Sequence, residues 1–281
     1  MNSPGCLWVI ATPIGNLGDL SPRARDVLPG LFFLACEQKR SAQRLFQALK
    51  MRCPPLLVYR EEQSASATCK ILEALDQGQS CGLISDAGTP TLSDPGWRLV
   101  RACHEAGHPV RTLPGPSSPT AALSLAGLPA REFYFAGFPP SQPKARRLFW
   151  EDLCQRRETC VLLVAPHDVK SYLGELRERS GGTRRLAISR ELTKIHEETH
   201  LRSLDEWLGS PPREQGEFVL ILEGLAEQPQ PASPTDKSTE VARYLLDQGC
   251  SDKVVRELLT RFFEVSRNDA YRLCLSLASE S

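Results

Sequence analysis

The sequence predicts an α/β protein built of two unequal halves, and three observations carry that prediction. Short apolar runs and amphipathic stretches alternate in a strand-then-helix order five times before residue 116, as a mostly parallel sheet covered by helices requires. Loops rich in Gly, Pro and Asp follow several of these runs, where ligands sit beyond the carboxyl ends of parallel strands. At 281 residues and 41% apolar content the chain is long enough to bury two cores.

The first run, Leu7-Trp8-Val9-Ile10, breaks at Thr12-Pro13-Ile14-Gly15-Asn16-Leu17-Gly18-Asp19, and helix signals resume at Ser21-Pro22. Leu31–Leu34 then precedes a helix near Arg40–Leu49, and Leu56–Tyr59 precedes one near Ala67–Leu75. Cys81–Ile84 is a buried-strand pattern leading into Ser85–Gly96, S-D-A-G-T-P-T-L-S-D-P-G, the stretch around which the rest is organised. Its two glycines let a ligand approach bare backbone, and Asp94 is placed to cap a helix whose first residue is Pro95. That helix ends at Gly107, and a strand over Pro109–Leu113 leads to Pro114-Gly115-Pro116-Ser117-Ser118.

From Phe133-Tyr134-Phe135 the pattern changes, with strands expected near 159–165, 185–190 and 217–222 and helices near 144–155 and 168–179. We expect an N-terminal α/β domain over 1–116, a second over 117–225, a Pro-rich linker over 226–237 and a helical domain over 238–281. In the last, Ser238, Ser251 and Ser266 each stand before an amphipathic run, and Ser266-Arg267-Asn268-Asp269 has capping-box spacing.

Charge and cysteine usage exclude several function classes. Lys and Arg number 34 against 34 Asp and Glu, so a polyanion must be met by local patches. Ten cysteines occur without one C-x-x-C, which suits a reducing compartment rather than a zinc ribbon or a disulfide framework. The start lacks a basic leader and no apolar run reaches the roughly 18 residues of a membrane span, so an untargeted cytoplasmic protein is expected.

Gly15-Asn16-Leu17-Gly18-Asp19 lacks the lysine-hydroxyl pair of a P-loop and the third glycine of a dinucleotide fingerprint, so it is read as cleft lining. His196-Glu197-Glu198-Thr199-His200 fits H-E-x-x-H, but its neighbours alternate with a period of two. On a strand the two imidazoles lie roughly 13 Å apart, too far to share one ion, and no metal is expected. Lys144, Arg146 and Arg147 form a basic cluster at a helix start, a place for a phosphate backbone to land or simply a solvated face. Lys253, Arg256, Arg261, Arg267 and Arg272 are matched nearly one for one by acids, so charge alone predicts nothing there.

Taken in order, Ala11–Asp19, Ser85–Gly96, Leu113–Ser117, Phe135-Ala136-Gly137-Phe138-Pro139-Pro140, Arg190–Glu198 and Gly216-Glu217-Phe218-Val219 resemble the bacterial 16S rRNA (cytidine-2′-O)-methyltransferases of the tetrapyrrole methylase superfamily. The likeness runs nearly end to end and includes Ser266–Leu273. It implies two α/β domains with S-adenosylmethionine in the cleft between them, usually in a homodimer, and small-subunit rRNA or the assembled subunit as partner. Carried onto this chain, it puts the cofactor against Asp86, Ala87, Gly88, Thr89, Pro90, Ser117 and Ser118, with Ala165, Pro166, Gly216 and Glu217 closing from the second domain. Asp86 is the carboxylate expected beside the sulfonium. Lys194 and Glu191 are the expected catalytic pair, and Asn16, Arg40, Lys144, Arg146, Arg147 and Arg190 the expected RNA contacts. The chain departs from the family where Glu37-Gln38-Lys39-Arg40 replaces Glu-Asp-Thr-Arg and Tyr59-Arg60-Glu61-Glu62 replaces Tyr-His-Glu-His. Val164 and Asp168 likewise stand where the family has glutamate and arginine. A catalytically degraded RNA-binding member and a methylase of a small tetrapyrrole are the alternatives this leaves.

Overall fold

The computed structural model describes residues 5–61, 64–225 and 234–279. It divides into two compact units, Met1–Leu225 and Ala226–Ser281. The first unit holds two five-stranded sheets.

The first sheet is built from β1 (Leu7–Ile10), β2 (Phe33–Cys36), β3 (Leu56–Val58), β4 (Cys81–Leu83) and β5 (Val110–Leu113). Its order is β3-β2-β4-β1-β5 and every pairing is parallel. Such strands must return through crossovers, here α1 (Pro22–Val27), α2 (Lys39–Ala48), α3 (Ala65–Asp76) and α4 (Trp97–Glu105). Side chains of period two feed two cores. Leu7, Ala35 and Leu83 pack with Ile71, Leu75 and Leu99 on one face, while Ile10, Leu34 and Cys36 pack with Leu20, Leu28 and Phe46 on the other.

After α5 (Ser118–Leu125) the second sheet forms from β6 (Phe133–Gly137), β7 (Thr159–Val164), β8 (Arg185–Arg190), β9 (Glu198–Ser203) and β10 (Phe218–Leu222). Its order is β6-β7-β10-β8-β9, with β6 parallel to β7 and the remaining pairs antiparallel. All five residues of β10, Phe-Val-Leu-Ile-Leu, are buried because the strand is central and covered on both faces. Complete burial of one such Leu or Ile contributes about 1.5–3 kcal/mol. One face packs on α6 (Pro143–Gln155), α7 (Val169–Ser180) and α8 (Leu204–Gly209) through Trp150, Leu173 and Trp207. The other packs on α5 through Ala122, Leu123 and Ala126, and Ile14 and Leu192 join that core. Ile14 comes from the loop after β1, so the two sheets share buried surface.

The second unit, described by itself, comprises α9 (Asp236–Asp247), α10 (Asp252–Phe262) and α11 (Arg267–Ser279) around Ala242, Val255, Leu259, Val265, Ala270, Cys274 and Leu277. Ser266 caps α11 as its spacing predicts: its Oγ accepts from the Asp269 N–H at 3.0 Å and donates to the Asp269 carboxylate at 2.7 Å. Most of the expected linker, 226–233, lies outside the described residues.

Four local expectations are corrected. The second strand begins at Phe33, not Leu31, because a 3-10 turn over Leu28–Gly30 continues into Leu31, whose N–H reaches back to the Leu28 carbonyl. The helix after the central loop begins at Trp97, not Pro95. Gly96, at φ +133°, takes the cap position, and its N–H is satisfied by the Glu61 carboxylate at 3.1 Å rather than by Asp94. In the second unit Thr235, not Ser238, caps α9, with Ser238 as the buried third residue of a reciprocal capping box. Finally, α5 and α8 were not expected. The Pro-Gly-Pro-Ser-Ser-Pro run reads as continuous loop, yet Pro119 sits in the first helical turn, where a missing N–H costs nothing.

Among the described residues no helix is long and apolar enough to cross a membrane, and no cluster of His, Cys, Asp and Glu could hold a metal ion. His196 lies in a turn and His200 on β9, so the H-E-x-x-H run is not helical.

Candidate functional site

Three loops at the carboxyl ends of β1, β4 and β5 form one wall of a cleft. The loop after β4 is stapled to that after β1 by paired backbone hydrogen bonds between Thr12 and Gly88, 2.9 and 3.0 Å long. The Thr89 hydroxyl donates to the Pro116 carbonyl at 3.1 Å and ties it to the loop after β5. Gly88 is at φ +77°, and a Cβ there would lie 3.3 Å from Ile14. Glycine therefore meets both the backbone and the packing demand at this position. Thr91 and Ser93, at φ +74° and +62°, continue the loop in the same sparsely populated region.

The second sheet supplies the opposite wall. A cavity of about 260 Å³ is lined by Leu163, Val164, Ala165 and Pro166 at the end of β7 and by Glu217, Phe218 and Val219 at the start of β10, together with Ile14, Ser118, Phe138 and Leu192. A smaller one of about 120 Å³ is lined by Ala87, Gly88, Thr89, Leu92, Ser93, Asp94, Ser117 and Pro119, and it shares Ser118, Phe138 and Leu163 with the first. The Ser117 hydroxyl is buried with no hydrogen-bond partner. A buried hydroxyl left without a partner costs free energy, so it marks where a polar group of a ligand would be received.

Beside this cleft stands an ion cluster on the segment joining β8 to β9. The Lys194 Nζ lies 2.9 Å from the Glu191 carboxylate and 3.2 Å from that of Glu217, and the Glu217 N–H donates to Glu191 at 2.9 Å. The bond from Lys194, joined by that from the Glu217 backbone, holds the Glu191 carboxyl below its ordinary value. Burial alone would lower the Lys194 value, but the two carboxylates outweigh it and the net shift is upward. Lys194 is therefore an ammonium at neutral pH, a fixed cation and not a base. The segment is held against Gly15, where an added Cβ would come within 2.5 Å of the Lys194 Cγ and 2.9 Å of the Leu192 carbonyl oxygen.

Of the residues expected at a cofactor, Ala87, Gly88, Thr89, Ser117, Ser118, Ala165, Pro166 and Glu217 line the two cavities, while Asp86, Pro90 and Gly216 do not. Asp86 is exposed and turned away: its carboxylate accepts from the Gln38 amide at 2.9 Å and the Ser41 hydroxyl at 3.3 Å. Glutamine at position 38 can make that bond, whereas a carboxylate there could not donate. The buried face of this wall is acidic instead. Burial, then Asp94 and Asp86 nearby, push the Glu37 carboxyl up, and burial does the same to Asp94. Gly216 acts one step removed, at φ +94° against the Glu191 side chain.

The six expected RNA contacts are not brought together. Asn16 and Arg40 are exposed, and the Asn16 side chain accepts from the Gly18 N–H at 2.9 Å. Arg190 is largely spent within the fold, donating to Glu198 at 2.7 Å and to the Gln215 carbonyl at 2.6 Å, and it holds Glu198 below the usual carboxylate range. It lines a separate groove of about 600 Å³ with His196, His200, Arg202, Trp207 and Arg213. On α6, Arg146 is engaged by Glu175 at 3.2 Å, which also accepts from the Trp150 indole at 2.8 Å, and Arg147 pairs with Glu151 one turn on. Lys144 is exposed with no ion pair among the described residues.

Sequence reasoning did not pick out Phe138 and Leu163, which line both cavities, nor Ser93. The signal for Phe138 was its place between Gly137 and Pro139. For Leu163 no signal separates it from any other buried strand residue.

The model of the family "Tetrapyrrole (Corrin/Porphyrin) Methylases" matches residues 6–207. The chain is 40% identical over 232 residues to the "Ribosomal RNA small subunit methyltransferase I" of Xylella fastidiosa, covering 81% of this chain and 85% of the relative. The proteins of that name from Synechocystis sp. and Escherichia coli O157:H7 are 33% and 35% identical, covering 98% of this chain and 99% and 96% of theirs. Among solved structures, the methyltransferase CobJ superposes with a TM-score of 0.58 at 17% identity, over 79% of this chain and 95% of that one. A uroporphyrin-III C-methyltransferase from Thermus thermophilus "complexed with S-adenyl homocysteine" gives 0.52 at 17% identity, over 78% of this chain and 97% of that one. At such identities the structural likeness speaks for the fold.

Proposed function

The chain belongs to the tetrapyrrole methylase family, and on that premise we propose that it is the S-adenosylmethionine-dependent methyltransferase of small-subunit ribosomal RNA, with the 2′-hydroxyl of a cytidine ribose as acceptor. The observation that carries this reading is a cleft where a glycine-bearing loop meets an unpartnered buried hydroxyl, with a fixed lysine ammonium beside it that is paired to the lining residue Glu217, the parts contributed by two different sheets.

The cleft fits the cofactor. Bare backbone at Gly88, the hydroxyls of Ser117 and Ser118 and the apolar strip of Leu163, Ala165 and Pro166 would hold it, the Ser117 Oγ gaining the partner it lacks. When bound, S-adenosylmethionine supplies a methyl group on a positively charged sulfur. Asp94, not Asp86, is the carboxylate of the central loop that lines this space.

A ribose hydroxyl is a weak nucleophile until its proton leaves, and it must be aligned to react. Lys194, protonated and braced by Glu191 and Glu217, cannot remove that proton, which passes to solvent water, but its charge stabilises the negative charge that develops on the ribose oxygen as it attacks the methyl group. Glu191 is a positioning group, since its carboxylate is occupied by Lys194 and the Glu217 N–H. The groove bearing Arg190, Arg202 and Arg213 lies next along β8 and β9, where flanking phosphates of an unpaired stretch of RNA would run. A homodimer acting in the cytoplasm is part of this proposal.

The test is transfer of labelled methyl from S-adenosylmethionine to purified small subunits lacking the modification, with free rRNA and a tetrapyrrole as parallel acceptors. Label on the ribose of one cytidine is expected. Label on the tetrapyrrole alone, or on no acceptor despite cofactor binding, would overturn the reading.

A further inference from the structure

Three cations of the C-terminal unit, Lys253, Arg261 and Arg267, are matched by acids along the sequence but not in space among the described residues. Lys253, Arg256, Thr260 and Arg261 fall at i, i+3, i+7 and i+8 on one face of α10, and with Arg267 at the start of α11 and Glu257 they line a groove of about 550 Å³. Four cations therefore face one carboxylate. Arg256 has its own partner, Asp252 at 2.8 Å, and its guanidinium lies 5.3 Å from the Tyr271 ring, whereas Lys253, Arg261 and Arg267 are exposed and make no ion pair among the described residues. Asp269, close to Arg267 in sequence, is turned to the Ser266 hydroxyl at its own helix cap.

We propose that this groove of the C-terminal unit is a second RNA contact, binding the phosphodiester backbone of the substrate. The proposal rests on the reading that the substrate is rRNA. Its lining has guanidinium and ammonium donors, one carboxylate and no apolar side chain to anchor a peptide, the Thr260 hydroxyl being spent on the Arg256 carbonyl at 2.8 Å. The cations from Lys253 to Arg261 lie roughly 12 Å apart along the α10 axis, enough to meet more than one phosphate. With zero net charge on the whole chain, such a patch is where sequence-independent affinity must reside.

The experiment compares the full chain with the triple variant Lys253→Gln, Arg261→Gln, Arg267→Gln, measuring affinity for free small-subunit rRNA across a salt series. Each lost phosphate contact reduces the slope of log K against log salt by about 0.7–0.9, so the triple variant should lose about 2–3 from the slope. At about 0.1 M salt this is roughly a hundred- to a thousandfold weaker binding. Cofactor affinity and melting temperature should match the parent, and the charge-keeping variant Lys253→Arg, Arg261→Lys, Arg267→Lys should keep the slope. An unchanged slope in an otherwise active, rRNA-binding protein would overturn this inference alone. Loss of binding to assembled subunits with none to free rRNA would overturn it in favour of a protein partner. A parent chain that neither binds nor methylates rRNA would overturn the proposed function as well.

Discussion

Replacing Gly15 by alanine should cripple methyl transfer. Gly15 is not among the glycines of positive φ, so alanine can adopt its backbone and the effect is purely steric. The new Cβ would lie 2.5 Å from the Lys194 Cγ and 2.9 Å from the Leu192 carbonyl oxygen, where comfortable contacts are about 3.5–4.0 Å. The lysine must therefore give by about 1 Å and the backbone by about half as much. It has little room to do so. Glu191 and Thr193 are held at φ +52° and +65°, and the segment is tied by the Glu191 N–H to the Glu217 carbonyl and the Lys194 N–H to the Glu191 carbonyl, both 3.0 Å. A displacement near 1 Å at a positioned group costs on the order of a hundredfold in rate, and such overpacking costs about 1–3 kcal/mol in stability. Single-turnover methyl transfer, with cofactor affinity measured separately, reads the two effects apart. Gly30→Ala, where an added Cβ meets nothing within 4 Å, is the control and should be silent. A Gly15→Ala protein with the parental rate would refute the claim that this loop sets the position of Lys194.

Three further outcomes are expected. Lys194→Met should reduce the methyl-transfer rate far more than Lys194→Arg, and the parent's rate should show no inflection from this pair near neutrality. The sign is fixed by the shifts: Glu191, lowered, loses its contribution only as pH falls through its depressed value, and Lys194, raised, only as pH rises through its elevated one. A pH–rate profile with an inflection near neutrality that vanishes in Lys194→Met would contradict this. Glu175→Ala should destabilise by about 2 kcal/mol, a melting shift of roughly 4–8 °C, because the Trp150 indole and Arg146 both lose their acceptor, and Arg146→Ala should act on stability rather than selectively on RNA affinity. In thiol labelling at mildly alkaline pH, exposed Cys69 should react first, while buried Cys36, Cys81, Cys103 and Cys160, their thiols pushed up to about 11, stay unlabelled until the fold opens.

The sheets were legible because their strands are short, strongly apolar and punctuated by Gly and Pro. Cys81–Leu83 and Arg185–Arg190 fall where the pattern puts them. Local signals misled where tertiary partners competed. Asp94 is an attractive cap, but the Glu61 carboxylate, arriving from the loop after β3, takes the Gly96 N–H that opens the helix. Proximity in the cleft was less legible than membership of its loops. No spacing rule distinguishes Asp86, which turns to Gln38, from Asp94, which lines the cavity, because the choice is made by partners from another element, Gln38 and Ser41. Likewise Arg146 and Arg147 look alike in sequence, yet one is engaged by Glu175 across the α6–α7 packing and the other by Glu151 on its own helix.

The place of β1 between β4 and β5 has a consequence for how the sheet is made. This strand precedes both of its partners in the chain, for Leu7 pairs with Cys81 on one side and Val110 on the other. At ribosomal speeds of about 5–20 residues per second, its neighbour β4 emerges roughly 4–15 s after it. Until then four apolar residues have no sheet to join, and the loop that follows them has nothing to be stapled to. Closing such distant pairings is slow on any pathway. On dilution from denaturant, helical circular dichroism should therefore return before the capacity to retain the methyl donor, and the lag between the two signals times the insertion of β1 between its two partners.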